Sequence, residues 1–174
     1  MDISVVISLS YEEFMESFGN VVEKYPLVAA TVWSQRLFAS IDDIEGAFAG
    51  FLDSLPDSDK EGVLRRFPDL AGREFRNGTL SPESQLEQNQ AGMTRLEPAE
   101  AACITALNTQ YKQRFGFPFV ICGRMNDKHT ILLHLHQRLT NEHSHELACA
   151  IEEVKKICHL RLQSLVCPTQ PSPM

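Results

Sequence analysis

The chain holds 174 residues, of which 43% are apolar and 22% charged, with a formal net charge of −7. That is enough chain for one domain with a sizeable core, and the acidic balance without a basic cluster argues against nucleic-acid binding. No apolar run approaches the roughly 20 residues needed to cross a bilayer. Met1-Asp2-Ile3-Ser4 lacks the basic stretch and following apolar run of a secretory signal.

Helical spacing governs the chain from its start. Ser10-Tyr11-Glu12-Glu13 is a capping-box pattern, followed by Phe14 and Phe18 at i, i+4. Pro26 fits the first turn of a helix carrying Val28, Val32 and Trp33. Ile44, Phe48, Phe51, Leu52 and Leu55 trace one face of the next, which Pro56 closes. Asp57 to Arg66 reads as a short helix, after which Pro68 turns the chain and Gly72 and Gly78 keep it irregular. Ser81 before Pro82 is a helix start, a hydroxyl cap followed by proline at the first helical position. Glu97-Pro98 opens a longer helix through Ile104, Leu107, Tyr111 and Phe115, stopped by Gly116. Phe117-Pro118-Phe119-Val120-Ile121-Cys122 reads as extended, because proline biases its predecessor away from helix. Ile131 to Leu139 forms another helix, and the last runs from about Ser144 to Val166. Pro168, Pro171 and Pro173 mark a flexible tail over 167–174. With no two-residue alternation and no repeat, the fold class is all-α, with the domain spanning 1–166.

The final helix carries the first chemical signal. Leu147, Ala150, Ile151, Val154, Ile157, Cys158 and Leu165 share one face, and Arg161 sits among them. Glu152, Lys155 and Lys156 point away, with Glu153 on the flank. A guanidinium facing a core needs an anion. Either an internal carboxylate pairs with it, or it clamps a substrate carboxylate through its planar fork.

The helix from Pro82 is unusual for a core helix, since Leu86 is almost its only large apolar residue. Ser84, Glu87 and Gln88 share a face, which by itself reads as a solvated surface. The segment Phe119–Gly123 reads as a buried extended piece whose backbone N–H and C=O groups could meet a polar ring. The histidines at 129, 134, 136, 143 and 145 cluster in sequence, but no Cys or carboxylate joins them at a ligand spacing, so no metal site is expected. His159 lies about 200° round the helix from Arg161 and points away from it. The cysteines at 103, 122, 149, 158 and 167 are odd in number and form no Cys-x-x-Cys pair. They read as small buried apolar residues of a reducing compartment.

Four segments carry a family resemblance: Phe67-Pro68-Asp69-Leu70-Ala71-Gly72, Ser81-Pro82-Glu83-Ser84-Gln85-Leu86-Glu87-Gln88, Phe115-Gly116-Phe117-Pro118-Phe119-Val120 and Glu153-Val154-Lys155-Lys156-Ile157. Together they resemble the OHCU decarboxylase family of urate breakdown. The resemblance implies a compact single-domain bundle of some eight or nine helices, usually a homodimer, needing no cofactor. It implies conversion of 2-oxo-4-hydroxy-4-carboxy-5-ureidoimidazoline to (S)-allantoin and carbon dioxide. It implies substrate contacts by Phe67, Pro68, Ser84, Gln85, Leu86, Glu87, Gln88, Phe119, Val120, Ile121, Cys122, Gly123 and Arg161, with Glu87 and Arg161 catalytic.

Phe67 departs from the pattern. The family has its acid–base histidine at this position, and a phenyl ring carries no proton. The alternatives are therefore a slowed decarboxylase, a catalytically silent homologue that binds a ureide or purine breakdown product, or a helical interaction protein. Arg65 and Arg66, just before Phe67, offer cations that are either solvated or useful to anion binding. Kinship implies the peroxisome, whereas the ending Ser172-Pro173-Met174 lacks a peroxisomal tripeptide and reads as cytoplasmic.

Overall fold

A computed structural model describes residues 1–36 and 38–166. The expected tail over 167–174, with Cys167, lies outside the described residues. Among the described residues there are ten α-helices, two 3₁₀ turns and no strand. Their contacts divide the described residues into two units, one of residues 56–154 and one of residues 1–36, 38–55 and 155–166.

The unit containing the N-terminus is built from α1 (Ile3–Ser8), α2 (Tyr11–Phe18), α3 (Pro26–Ser34), α4 (Ile41–Ser54) and residues 155–165 of α10 (His143–Leu165). The capping box expected at Ser10 is present. Glu13 N–H donates to the Ser10 hydroxyl, and the Glu13 carboxylate accepts from Ser10 N–H at 2.8 Å. Phe14 and Phe18 stack at 4.5 Å and are fully buried, each worth about 1.5–3 kcal/mol of apolar transfer. Pro26 starts α3, whose Val28 and Val32 are buried, and α3 packs on both α2 and α4. Helix α1 escaped the sequence reading because Ile3-Ser4-Val5-Val6-Ile7-Ser8 is rich in β-branched residues of modest helix propensity. An Asp2 cap that accepts from Val5 N–H at 3.1 Å and the burial of Val6 hold it instead.

The second unit holds α5 (Asp57–Leu64), α6 (Arg73–Asn77), α7 (Pro82–Gln90), α8 (Pro98–Phe115), α9 (Lys128–Arg138) and residues 143–154 of α10, with 3₁₀ turns at Met93–Arg95 and Gly123–Met125. Helix α7 starts as expected, with the Ser81 hydroxyl accepting from Ser84 N–H at 3.2 Å and Pro82 in the first turn. Helix α8 ends at Gly116, whose φ of 80° is left-handed and caps the helix. The stretch between Gly72 and Gly78 is a correction, being the short helix α6 rather than irregular chain. Gly78, at φ 69°, closes it. A Cβ on Gly72 would lie 2.7 Å from Asp69 Cβ, so only glycine lets the chain turn into α6 there. Helix α9 begins a turn earlier than expected because Asp127 caps Thr130 N–H at 2.8 Å. Helices α1 and α6 are the two that the spacing did not mark.

Along α10, Leu147, Ala150, Ile151, Val154, Ile157, Cys158 and Arg161 are buried as the stripe predicts. Leu162 is buried in addition, and Leu165 is only half-buried.

Candidate functional site

Most of the residues singled out from sequence belong to the second unit, where three pieces of chain meet. The first is the loop after α5. Phe67 is 8% exposed, and its N–H bonds Leu64 C=O at 3.1 Å. Asp69 to Ala71 are pinned by side chains from other elements. Gln88 Oε1 accepts from Ala71 N–H at 2.9 Å, and Gln88 Nε2 donates to Asp69 C=O at 3.2 Å. Asn108 donates to Leu70 C=O at 3.1 Å, and Lys112 Nζ pairs with Asp69 Oδ2 at 2.7 Å. These bonds hold Ala71 at φ 49°, a left-handed conformation that costs a non-glycine residue on the order of 1 kcal/mol or more.

The second piece is α7. Its inward face is polar: Ser84 and Gln88 are each 4% exposed, Glu87 and Gln85 are half-buried, and Leu86 is 49% exposed. The helix is thus turned opposite to what hydrophobic burial would select, with its one large apolar residue outward. Gln88 is committed to the loop by both ends of its amide, and it positions the segment that carries Phe67 and Pro68.

The third piece is the extended segment leading to Gly123. Phe119, Val120, Ile121 and Cys122 are all buried. Gly123 packs directly on α7, and a Cβ there would lie 3.0 Å from Glu87 C=O and 3.2 Å from Ala91 Cβ. We expect Gly123→Ala to cost about 1–3 kcal/mol through that overlap, read as a lowered denaturation midpoint. Arg138 holds the segment from α9. Its Nη1 donates to Val120 C=O at 2.9 Å, and its guanidinium lies 4.4 Å over the Phe119 ring. Arg138 in turn pairs with the fully buried Glu146, with Nε to Oε1 at 2.7 Å. Glu146 also accepts from the Tyr111 hydroxyl and, at 2.9 Å, from Asn141 Nδ2. Burial, and then the Glu146 carboxylate, push the Tyr111 phenol far above its ordinary range, so it stays a permanent donor. Glu153 Oε1 accepts from Cys122 N–H at 3.3 Å, and Asn126 Nδ2 donates to Cys122 C=O at 2.9 Å. Burial first, and the Glu153 charge second, push the Cys122 thiol up, which keeps it neutral and unreactive.

These anchors leave particular atoms over. Among the described residues, no protein hydrogen bond reaches the N–H or the C=O of Ile121. Buried backbone groups are nearly always paired, so such an edge is suited to a ligand with its own donors and acceptors.

Arg161 belongs to the other unit and is 4% exposed. Its Nη1 donates to Glu23 Oε2 at 2.9 Å and to Asn20 C=O at 2.8 Å, and Asn20 Nδ2 donates to the same Glu23 oxygen at 3.2 Å. Glu23 is fully buried. His159 points elsewhere, to Glu45 at 2.8 Å. That pair, with Lys155–Asp53 at 2.5 Å, rims a pocket of about 200 Å³ between α4 and α10, lined by none of the expected site residues.

Sequence reasoning missed Glu23, Arg138, Glu146 and Glu153. Arg138 and Glu146 are eight apart and flank a turn, and Glu23 is 138 residues from its partner. Glu146 lies on the apolar face of α10, at i−4 from Ala150, and that was a readable signal. Among the described residues no group of three or more His, Cys, Asp or Glu could hold a metal, and no helix is long and apolar enough to cross a membrane.

The fold places the chain in a class of all-α proteins with solved members. A crystal structure of an (S)-allantoin synthase matches with a TM-score of 0.76 and 23% identity, covering 95% of this chain and 54% of that one. An OHCU decarboxylase crystallised in the presence of (S)-allantoin matches with a TM-score of 0.71 and 20% identity, covering 87% and 99%. These likenesses establish the fold. The OHCU decarboxylase family model matches residues 7–163. Curated 2-oxo-4-hydroxy-4-carboxy-5-ureidoimidazoline decarboxylases are similar along nearly their whole length. That of Amia calva is 59% identical over 169 residues, 97% of each chain, and that of Xenopus laevis 53% over 165 residues, 95% of this chain and 94% of its own. The chain belongs to the OHCU decarboxylase family.

Proposed function

We propose that this protein decarboxylates 2-oxo-4-hydroxy-4-carboxy-5-ureidoimidazoline to (S)-allantoin in urate catabolism. The observation that carries this reading is the 59% identity over 97% of the chain to a relative bearing that activity in its name. In the reaction the bond to the carboxylate breaks, its electron pair moves into the neighbouring C=N, and a proton is delivered to one face. The protein's task is to orient the carboxylate and govern that proton. The polar face of α7 and the open backbone edge of Ile121 support recognition of a small polar ring. In this reading Arg161 holds an anionic oxygen and Glu87 moves protons near the hydroxyl or ring nitrogen. Ser84, Gln85, Leu86 and Gln88, with Phe119–Gly123, fix the ring and ureido arm. Kinship adds a homodimer and a peroxisomal setting to the proposal.

A second reading is favoured by Phe67, which supplies no acid–base group: a silent homologue that binds a ureide without turning it over. Supplying freshly generated substrate and following the optical activity of the allantoin separates the two. An excess of the (S) form over spontaneous racemic product is expected. Racemic allantoin at the uncatalysed rate, with ligand binding still seen by calorimetry, would leave only the silent homologue.

A further inference from the structure

The geometry points to a second binding site, in the hollow between α4 and residues 155–162 of α10, which takes a small monocarboxylate with a compact apolar body. The hollow lies within the unit that contains the N-terminus and is lined by none of the residues assigned to the ureide.

Side-chain length opens this space. Glu45 and Asp53 are eight residues apart on α4, about 12 Å along its axis, and their partners His159 and Lys155 are four apart on α10, about 6 Å. The two ion pairs bracket the stretch between them, and the side chains of that stretch must fill it. Phe48, Leu52 and Leu162 are buried there and supply apolar walls. Ala49 and Cys158 also line the hollow, and both are short. The Cys158 thiol is committed to Val21 C=O at 3.4 Å. About 200 Å³ is left over. Packed interiors hold few voids larger than a water molecule, so a space of this size is uncommon. Against water's share of about 30 Å³, it suits a body of roughly seven to ten non-hydrogen atoms.

The rim decides the sign of the ligand. Glu45 is held by two donors, His159 Nδ1 at 2.8 Å and Gln163 Nε2 at 3.2 Å, so a ligand cation would have to compete with both. Lys155 offers the better contact. It lines the hollow with its side chain 20% exposed, and the Asp53 carboxylate that meets it at 2.5 Å is 60% exposed. A carboxylate so solvated contributes little through its ion pair, and a ligand carboxylate exchanges with it at small cost. The ligand's apolar body then gains burial against Phe48, Leu52 and Leu162, which Asp53 does not. The stem of Lys155 extends that apolar wall. Repulsion from Glu45 sets the orientation, with the ligand's carboxylate toward Lys155 and its body toward Leu162. One polar group fixing an otherwise apolar ligand is the usual division of labour in a small-molecule pocket.

The experiment uses the full chain with labelled methyl groups and sodium benzoate as probe, read by methyl NMR at Ala49, Leu52 and Leu162. Benzoate is expected to shift these methyls saturably. Benzyl alcohol and benzylamine, of the same size, are expected to bind about tenfold more weakly or worse, since neither offers Lys155 an anion. Lys155→Met keeps the stem and should bring benzoate down to the level of benzyl alcohol. Asp53→Asn removes the competing carboxylate and should tighten benzoate by up to about fivefold. Ala49→Leu fills the hollow and should abolish the shift at Leu162. Should that variant fail to fold, the opposite effects of Lys155→Met and Asp53→Asn still decide the matter. The inference is overturned if benzoate leaves these methyls unmoved, if benzylamine or benzyl alcohol binds as tightly as benzoate, or if Lys155→Met binds benzoate as the unaltered chain does.

Discussion

Phe67→His raises the rate of (S)-allantoin formation by at least about 10²-fold, the low end of what a placed acid–base group supplies. Two considerations set this expectation. The resemblance implies a histidine at the position of Phe67, and the loop that holds residue 67 is tied through Asp69, Leu70 and Ala71 to Gln88, Asn108 and Lys112. An imidazole placed there inherits a fixed backbone rather than a mobile one, so little ordering cost attaches to its use. The ring is smaller than phenyl and more polar, and at 8% exposure some loss of stability accompanies the gain. Initial rates on fresh substrate, followed by circular dichroism of the product, check it. A rate equal to that of the unaltered chain removes position 67 from the reacting centre.

Arg161→Ala lowers the unfolding free energy by about 3–5 kcal/mol, because it takes the guanidinium away from the fully buried Glu23 carboxylate. The double change Glu23→Leu with Arg161→Met restores most of that loss, since well-packed apolar replacements of a buried pair are often neutral or stabilising. Denaturant unfolding measures both. If Arg161→Ala melts like the unaltered chain yet forms no (S)-allantoin, the arginine serves the ligand and its pairing with Glu23 is incidental. If the double variant is stable and still active, the guanidinium is a structural element only. The sequence left these two roles open, and the observed Glu23 pair supplies the internal carboxylate that one of them required.

Local signals were legible because they act through neighbours in the chain. The Ser10 capping box, Pro26, Ser81-Pro82, Glu97-Pro98 and Gly116 each fix backbone geometry within a turn or so, and each marks a helix end in the structure. The stripe on α10 was legible for the same reason, one face of a regular helix being determined by spacing. Helix α1 was not, because β-branched residues write no helical signature and a cap plus one buried valine decided it. Helix α6 was not, because glycines at both of its ends read as irregular chain whether or not a turn of helix lies between them.

What the sequence determined by itself was an all-α chain, the ends of most of its helices, an arginine within an apolar stripe, and a family. Spacing of 3.6 residues, caps and prolines are short-range facts and need no partner. Only the tertiary structure decided that α7 turns its polar residues inward and Leu86 out, that Gln88 clamps a loop, and which buried carboxylate meets Arg161 or Arg138. Those outcomes depend on groups far apart in the chain, brought together because a buried charge or amide must find its complement wherever the fold supplies one.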